Sequence, residues 1–171
     1  LLQAAPRLFA RYPNARILLV GAAYGRNDLC ARAIAQQVAV PEMGGRVLLL
    51  GGRSDVADIL ALSSVVVHAS TKPEPFGRTF LEGMAMGRPV IAAAEGGPLD
   101  VITHEQDGLL IAPRDPGLLA TAILCILDNP EWAAGMARAA AQTAQRYSIE
   151  QHTAAVSEVL DRLSGTLHGR R

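Results

Sequence analysis

The chain has 171 residues, half of them hydrophobic, and its sixteen basic and sixteen acidic side chains cancel to zero formal charge. That length, near the ~150 residues of a typical domain, and that apolar fraction suit one buried core and exclude disorder over most of the chain. The basic residues are fifteen Arg and the single Lys72, gathered nowhere into a stripe, which argues against electrostatic binding of nucleic acid.

Short apolar runs alternate with amphipathic stretches from end to end. A helical stripe of Leu1, Ala5, Leu8, Phe9 and Tyr12 is expected to stop at Pro13-Asn14. Arg16 to Val20 then reads as a buried strand, and Asn27-Asp28 as the start of a helix reaching about Val40. Arg46 to Leu50 is the next strand, followed by a helix to Leu62 that Ser54 can cap. Val65 to His68 is a strand, Arg78 to Met86 a helix closed by Gly87, and Pro89 to Ala92 another strand. Gly108 to Ile111 is a shorter strand. Asp115-Pro116 and Asn129-Pro130 pair an N-cap residue with proline at the first helical position. Ser148 is expected to cap a last helix running to about Ser164. The strand runs are continuously apolar, as in strands covered on both faces. Such alternation predicts an α/β fold, a Rossmann-like doubly wound parallel sheet whose ligands bind beyond the carboxyl ends of the strands.

Cys30 and Cys125 fall in predicted helices without metal-ligand spacing and read as reduced, partly buried thiols of a cytoplasmic protein, with no metal site. No apolar run reaches the ~18 residues of a transmembrane helix. The chain opens on Leu1-Leu2, already inside a helical pattern, and is read as a piece of a longer polypeptide.

One stretch carries chemistry, Glu74 to Ile102, EPFGRTFLEGMAMGRPVIAAAEGGPLDVI. It follows a strand and so falls at the expected crevice. Amides of Gly77, Arg78 and Thr79 at a helix start lack internal partners and sit at the positive end of its dipole, a setting for phosphate. Glu74 before the helix could accept from hydroxyls on one side, and Glu82 within it could hold a diol on the other. Together these would fit a nucleoside-diphosphate sugar. Spacing alone leaves a second reading open, in which both carboxylates are ordinary surface residues.

The stretch resembles the signature of the retaining glycosyltransferases of family 4. The likeness rests on Glu74, Phe76, Gly77 and Glu82, continues through Gly83 to Val90 and Gly96-Gly97, and reaches Asp107 to Leu110 and Pro113 to Pro116. Leu18 to Gly21 and Leu50 to Gly52 are similar to the family's earlier strand ends, so the likeness covers the chain to about Asn129. Asp100 stands where the family often has Glu.

The resemblance implies one half of a GT-B fold, with residues 1–171 a donor-binding domain and 148–171 its C-terminal helix and tail. It implies that Glu74, the catalytic-site acid, contacts hydroxyls of the transferred sugar and Glu82 the ribose diol. Amides from Phe76 through Gly77 and Arg78 to Thr79 would hold the diphosphate. Gly52 and Arg53 would frame the base, and Gly21 would line the floor; plain turn chemistry is an equal account of Gly21 and Gly51-Gly52. The implied reaction is retaining glycosyl transfer to an unknown acceptor, without a cofactor, and the sequence has no Asp-x-Asp pair for a divalent ion. The family's phosphate-binding Arg and Lys, a first strand and the acceptor domain are expected to precede this chain. By itself it should therefore bind donor without turnover, any membrane contact coming through the missing domain. Two other readings remain open: a nucleotide-sugar epimerase of the GT-B type and a non-catalytic nucleotide-binding module.

Overall fold

The computed structural model describes residues 1–22 and 29–168. The expected helix start at Asn27-Asp28 and the terminal Arg170-Arg171 lie outside the described residues.

Helix α1 spans Ala5–Arg11 and leads to strand β1, Ile17–Val20. Helix α2, Leu29–Val38, is followed by a short 3-10 turn and β2, Val47–Gly51. Then come α3 (Val56–Leu62), β3 (Val66–His68), α4 (Arg78–Ala85) and β4 (Val90–Ala93). A short α5 (Pro98–Val101), β5 (Leu109–Ile111) and three consecutive helices, α6 (Pro116–Asp128), α7 (Pro130–Gln145) and α8 (Ile149–His168), complete the order.

Among the described residues all strand pairings are parallel, as alternating strands and helices require, and they form two sheets, β1–β2 and β3–β4–β5. Strand β4 is central and buried along its whole length. Its side chains alternate between two apolar clusters, Ile91 entering one and Val90 and Ala92 the other. The first cluster holds Leu8 and Phe9 of α1 with Leu119, Ile123 and Ile126 of α6. The second holds Phe80 and Met84 of α4 with Ala140 and Ala144 of α7. Helices thus cover both faces, the doubly wound arrangement.

Burial of β2 differs from the expectation: Val47 is buried, whereas Leu48 and Leu49 are exposed. The reason is that α2 buries none of its residues and leans on the first cluster only through half-buried Ile34 and Val38.

Helix ends correct two expectations and support two. Asp115 accepts from the Leu118 amide at 2.9 Å, and Ser148 from the Gln151 amide at 3.3 Å. Ser54 does not cap α3; the N-cap is Asp55, whose carboxylate is taken by Arg53. Asn129 does not cap α7 with its side chain, because its amide donates back to the Cys125 carbonyl at 2.8 Å. Cys30 and Cys125 are exposed, not partly buried, since both lie on outer faces of their helices. Among the described residues no helix is long and apolar enough to cross a membrane.

Candidate functional site

Strand β3 ends at His68, and the segment after it runs along the carboxyl end of the sheet before entering α4. Two glycines on the next loop let it lie there. Glu74 bridges to Gly96, and the Gly97 amide donates to the Glu74 carbonyl at 3.0 Å. A Cβ on Gly97 would sit on the Phe76 carbonyl and 2.5 Å from the Phe76 Cα. One on Gly96 would sit on the Glu74 carbonyl. Only residues without a side chain permit this approach.

The Glu74 carboxylate is held from both sides. Ser70 Oγ donates to Oε1 at 2.8 Å, and His68 Nε2 lies 3.1 Å from Oε2. His68 is buried, stands edge-on to Phe80 with ring centres 5.6 Å apart, and has no partner at Nδ1. The Ser70 hydrogen bond is the main cause that holds the Glu74 carboxyl below its ordinary 4.5; partial burial opposes it and His68 assists. A depressed value in the folded state gives a stabilising contribution present above the ordinary value and lost as pH falls through the lowered one. Ser70→Ala should therefore move the Glu74 titration midpoint up toward 4.5. A carboxyl carbon NMR titration reads this, and an unmoved midpoint removes Ser70 as the leading cause.

Helix α4 begins at Gly77, which has a φ of 79° and offers no side-chain cap. At that φ an L side chain is strained, and a Cβ would also meet Glu74 Oε2 and His68 Nε2 at 3.2 Å. The first turn therefore presents Arg78 and Thr79, both exposed, with the uncapped positive end of the helix beside the anchored Glu74. Glu82 lies one turn further, on the outer face, and pairs with exposed Arg78 at 3.3 Å. Such an exposed i,i+4 pair is weak enough to yield to a ligand. The Phe76 ring packs between Phe80 and Tyr147, at 6.4 and 5.9 Å between centres.

One loop–helix unit thus brings together Glu74, Phe76, Gly77, Arg78, Thr79 and Glu82. The other expected residues sit at the ends of β1 and β2. The Gly21 amide donates to the Gly51 carbonyl at 2.9 Å, and a Cβ on Gly52 would rest 3.4 Å from that of Ala22. Arg53 is engaged by Asp55, with contacts of 2.5 and 2.8 Å. Among the described residues no hydrogen bond, ion pair or ring contact joins this group to the first.

Sequence reasoning passed over Arg114. In the turn after β5 its guanidinium donates to the Thr71 carbonyl at 2.8 Å and meets Glu95 at 3.4 Å, tying the loops that follow β3 and β4. Its φ of 61°, unusual for a non-glycine residue, marks a turn held by those contacts. No spacing in the sequence announces it. A depression of about 200 Å³ opens beside it, lined by Ser70, Thr71 and Ala93 among others. A larger cavity of about 690 Å³ touches none of the expected site residues and lies between the two sheets. Among the described residues no group of His, Cys, Asp and Glu could hold a metal ion.

Comparison with known proteins agrees with this fold. The model of the family described as glycosyl transferases group 1 matches residues 1–129. The chain is 30% identical over 154 residues to a lipopolysaccharide core biosynthesis mannosyltransferase, LpsB, of Rhizobium meliloti, covering 88% of this chain and 44% of that protein. It is 32% identical over 155 residues to a D-inositol 3-phosphate glycosyltransferase of Corynebacterium urealyticum, covering 88% and 36%. Among solved structures, Anabaena HepE in complex with UDP-glucose superimposes with a TM-score of 0.86 at 30% identity, covering 94% of this chain and 44% of that one. The chain therefore spans less than half the length of each of these relatives.

Proposed function

This chain belongs to the glycosyl transferases group 1 family, and from that premise we propose that it is the donor-binding half of a retaining glycosyltransferase that uses a nucleoside-diphosphate sugar. The observation that carries the reading is the uncapped start of α4 directly beside a carboxylate fixed by Ser70 and His68. HepE, of similar fold, binds UDP-glucose, which makes that ligand the natural probe.

In this reading the amides from Phe76 to Thr79 grip the diphosphate. Glu74 accepts from hydroxyls of the sugar and Glu82 from the ribose diol, displacing Arg78. Gly52 and Arg53 frame the base, and Gly21 lies under the phosphates. When the bond from the anomeric carbon to the diphosphate oxygen breaks, its electron pair stays on the diphosphate. The helix amides meet that growing charge without having to reorganise. The acceptor oxygen then bonds to the anomeric carbon on the face the diphosphate leaves, giving retention, and its proton passes to the departing diphosphate oxygen. Acceptor recognition belongs to the remainder of a longer, cytoplasmic parent protein, so this chain alone binds donor without turnover.

Calorimetric titration tests the assignment. Glu82→Ala should weaken both UDP and UDP-glucose about tenfold, the worth of a hydrogen bond to a charged group. Glu74→Gln should weaken UDP-glucose and leave UDP unchanged, because UDP has no sugar for it to hold. Equal loss of both ligands in Glu74→Gln would remove the sugar contact from the account.

A further inference from the structure

Residues 70–73 link the end of β3 to Glu74 and carry Ser70, whose hydroxyl donates to Glu74 Oε1 at 2.8 Å. Among the described residues this link makes no backbone–backbone hydrogen bond. Ser70 and Thr71 also line the depression of about 200 Å³, so open space adjoins them where packed side chains could have held them. The main chain of the link is tied by Arg114, whose Nη1 donates to the Thr71 carbonyl at 2.8 Å. Through Nη2 the same guanidinium meets Glu95 Oε1 at 3.4 Å. Among the described residues Glu95 has no other ion pair, and its Oε2 is buried without a hydrogen-bond partner. Glu95 thus aims the guanidinium, and the guanidinium holds Thr71.

Arg114 stands on a firm post. It lies between the end of β5 and Asp115, whose carboxylate caps α6 through the Leu118 amide at 2.9 Å. Its φ of 61°, however, falls where a side chain is strained and glycine is not. The turn by itself would be better served by glycine. An arginine at such a φ points to the work of its guanidinium instead of to the backbone.

We propose that Arg114 is a positioning residue for sugar recognition, setting the Glu74 carboxylate from the turn after β5 through the Thr71 carbonyl and Ser70. The consequence for the ligand rests on the proposed donor reading, whereas the effect on Glu74 does not.

The route has three steps. Glu95 orients Arg114, Arg114 fixes the Thr71 carbonyl, and that carbonyl fixes the backbone from which the Ser70 hydroxyl reaches Glu74. Without Arg114 the link is free to move, and the hydroxyl loses its direction toward Oε1. The other supports of this region do not pass through Arg114. The Gly97 amide still bonds the Glu74 carbonyl, and the start of α4 keeps its line. Arg114 therefore bears on the sugar end of the ligand and leaves the diphosphate end alone.

Arg114→Gly tests the proposal, because it removes the guanidinium while relieving the strained φ. In the ligand-free chain, a carboxyl-carbon NMR titration should show the Glu74 midpoint moving up toward 4.5. The causes of its lowered value are Ser70, opposed by burial, and His68, so a moved midpoint reports geometry and not the lost charge of Arg114. On a Ser70→Ala background the same substitution should move the midpoint no further. Calorimetry should show UDP-glucose bound about tenfold more weakly, the worth of a hydrogen bond to a charged group, with UDP unchanged. The thermal unfolding midpoint should hold or rise. An unmoved Glu74 midpoint overturns the proposal, and so does a further shift on the Ser70→Ala background. Equal weakening of UDP and UDP-glucose would place Arg114 on the nucleotide itself and overturn it as well. A lower unfolding midpoint with Glu74 unmoved would make Arg114 a prop of its own turn only. If the unaltered chain binds neither ligand, the donor reading falls, and the Glu74 midpoint still decides what Arg114 does.

Discussion

Replacing Phe80 with alanine is expected to destabilise the chain by about 3–5 kcal/mol, the range for truncating a fully buried aromatic side chain. Phe80 has no exposed surface and lies in the cluster of Val66, Met84, Val90 and Ala92 that fixes α4 to the sheet. Collapse around the gap is limited on one side by Gly83, where even an added Cβ would lie 2.9 Å from Val66. The ring also supports the site, standing edge-on to His68 and next to Phe76. Losing it frees the imidazole that steadies Glu74, so affinity for UDP-glucose should fall along with stability. Urea unfolding should show a lower midpoint with an unchanged slope. A loss below about 1 kcal/mol, outside the range for buried aromatics, would mean that α4 is fixed to the sheet by something other than this cluster.

Alanine at Gly97 should act by the opposite mechanism, excess volume instead of a void. The new methyl would collide with the Phe76 main chain, and backbone, unlike a flexible side chain, cannot swing aside. Overpacking costs about 1–3 kcal/mol, and relief requires the segment from Glu74 to Phe76 to lift from the loop after β4. That movement breaks the bond from the Gly97 amide to the Glu74 carbonyl and turns the start of α4 out of line. Affinity for UDP-glucose should drop more than stability does, because the cradle depends on that backbone position. Gly87→Ala is the control. Its φ of 61° makes alanine strained there too, yet a Cβ meets nothing within 4 Å, and the site lies at the other end of α4. It should cost stability and spare binding. Equal binding by Gly97→Ala and the unaltered chain would show that the close approach is dispensable.

The strands, the order of elements and the α4 loop–helix were legible because each depends on local pattern: apolar runs, proline and glycine stops, and an N-cap such as Asp115. The misread caps failed on details that no local pattern settles: α3 starts one residue later than Ser54, at Asp55, and the Asn129 amide turns back to Cys125. Gly96-Gly97 could be noticed as part of a resemblance, but their reason is tertiary: they carry no side chain because Glu74 and Phe76 pass over them. Ser70 and His68 as supports for Glu74 follow from the bend after β3, which no periodicity encodes. The exposure of Leu48 and Leu49 was equally hidden, since an apolar run looks the same whether or not a helix covers it. The cavity between the two sheets was hidden for a related reason: a strand's sequence does not say which of its edges is paired.

The most direct measurement is an NMR titration of this chain with UDP-glucose, following backbone amides. The account predicts that Gly77, Arg78 and Thr79 shift most, in step with Phe76, and that Glu82→Ala weakens the response without moving it elsewhere. Shifts confined to other loops, with the α4 start silent at saturation, would contradict it.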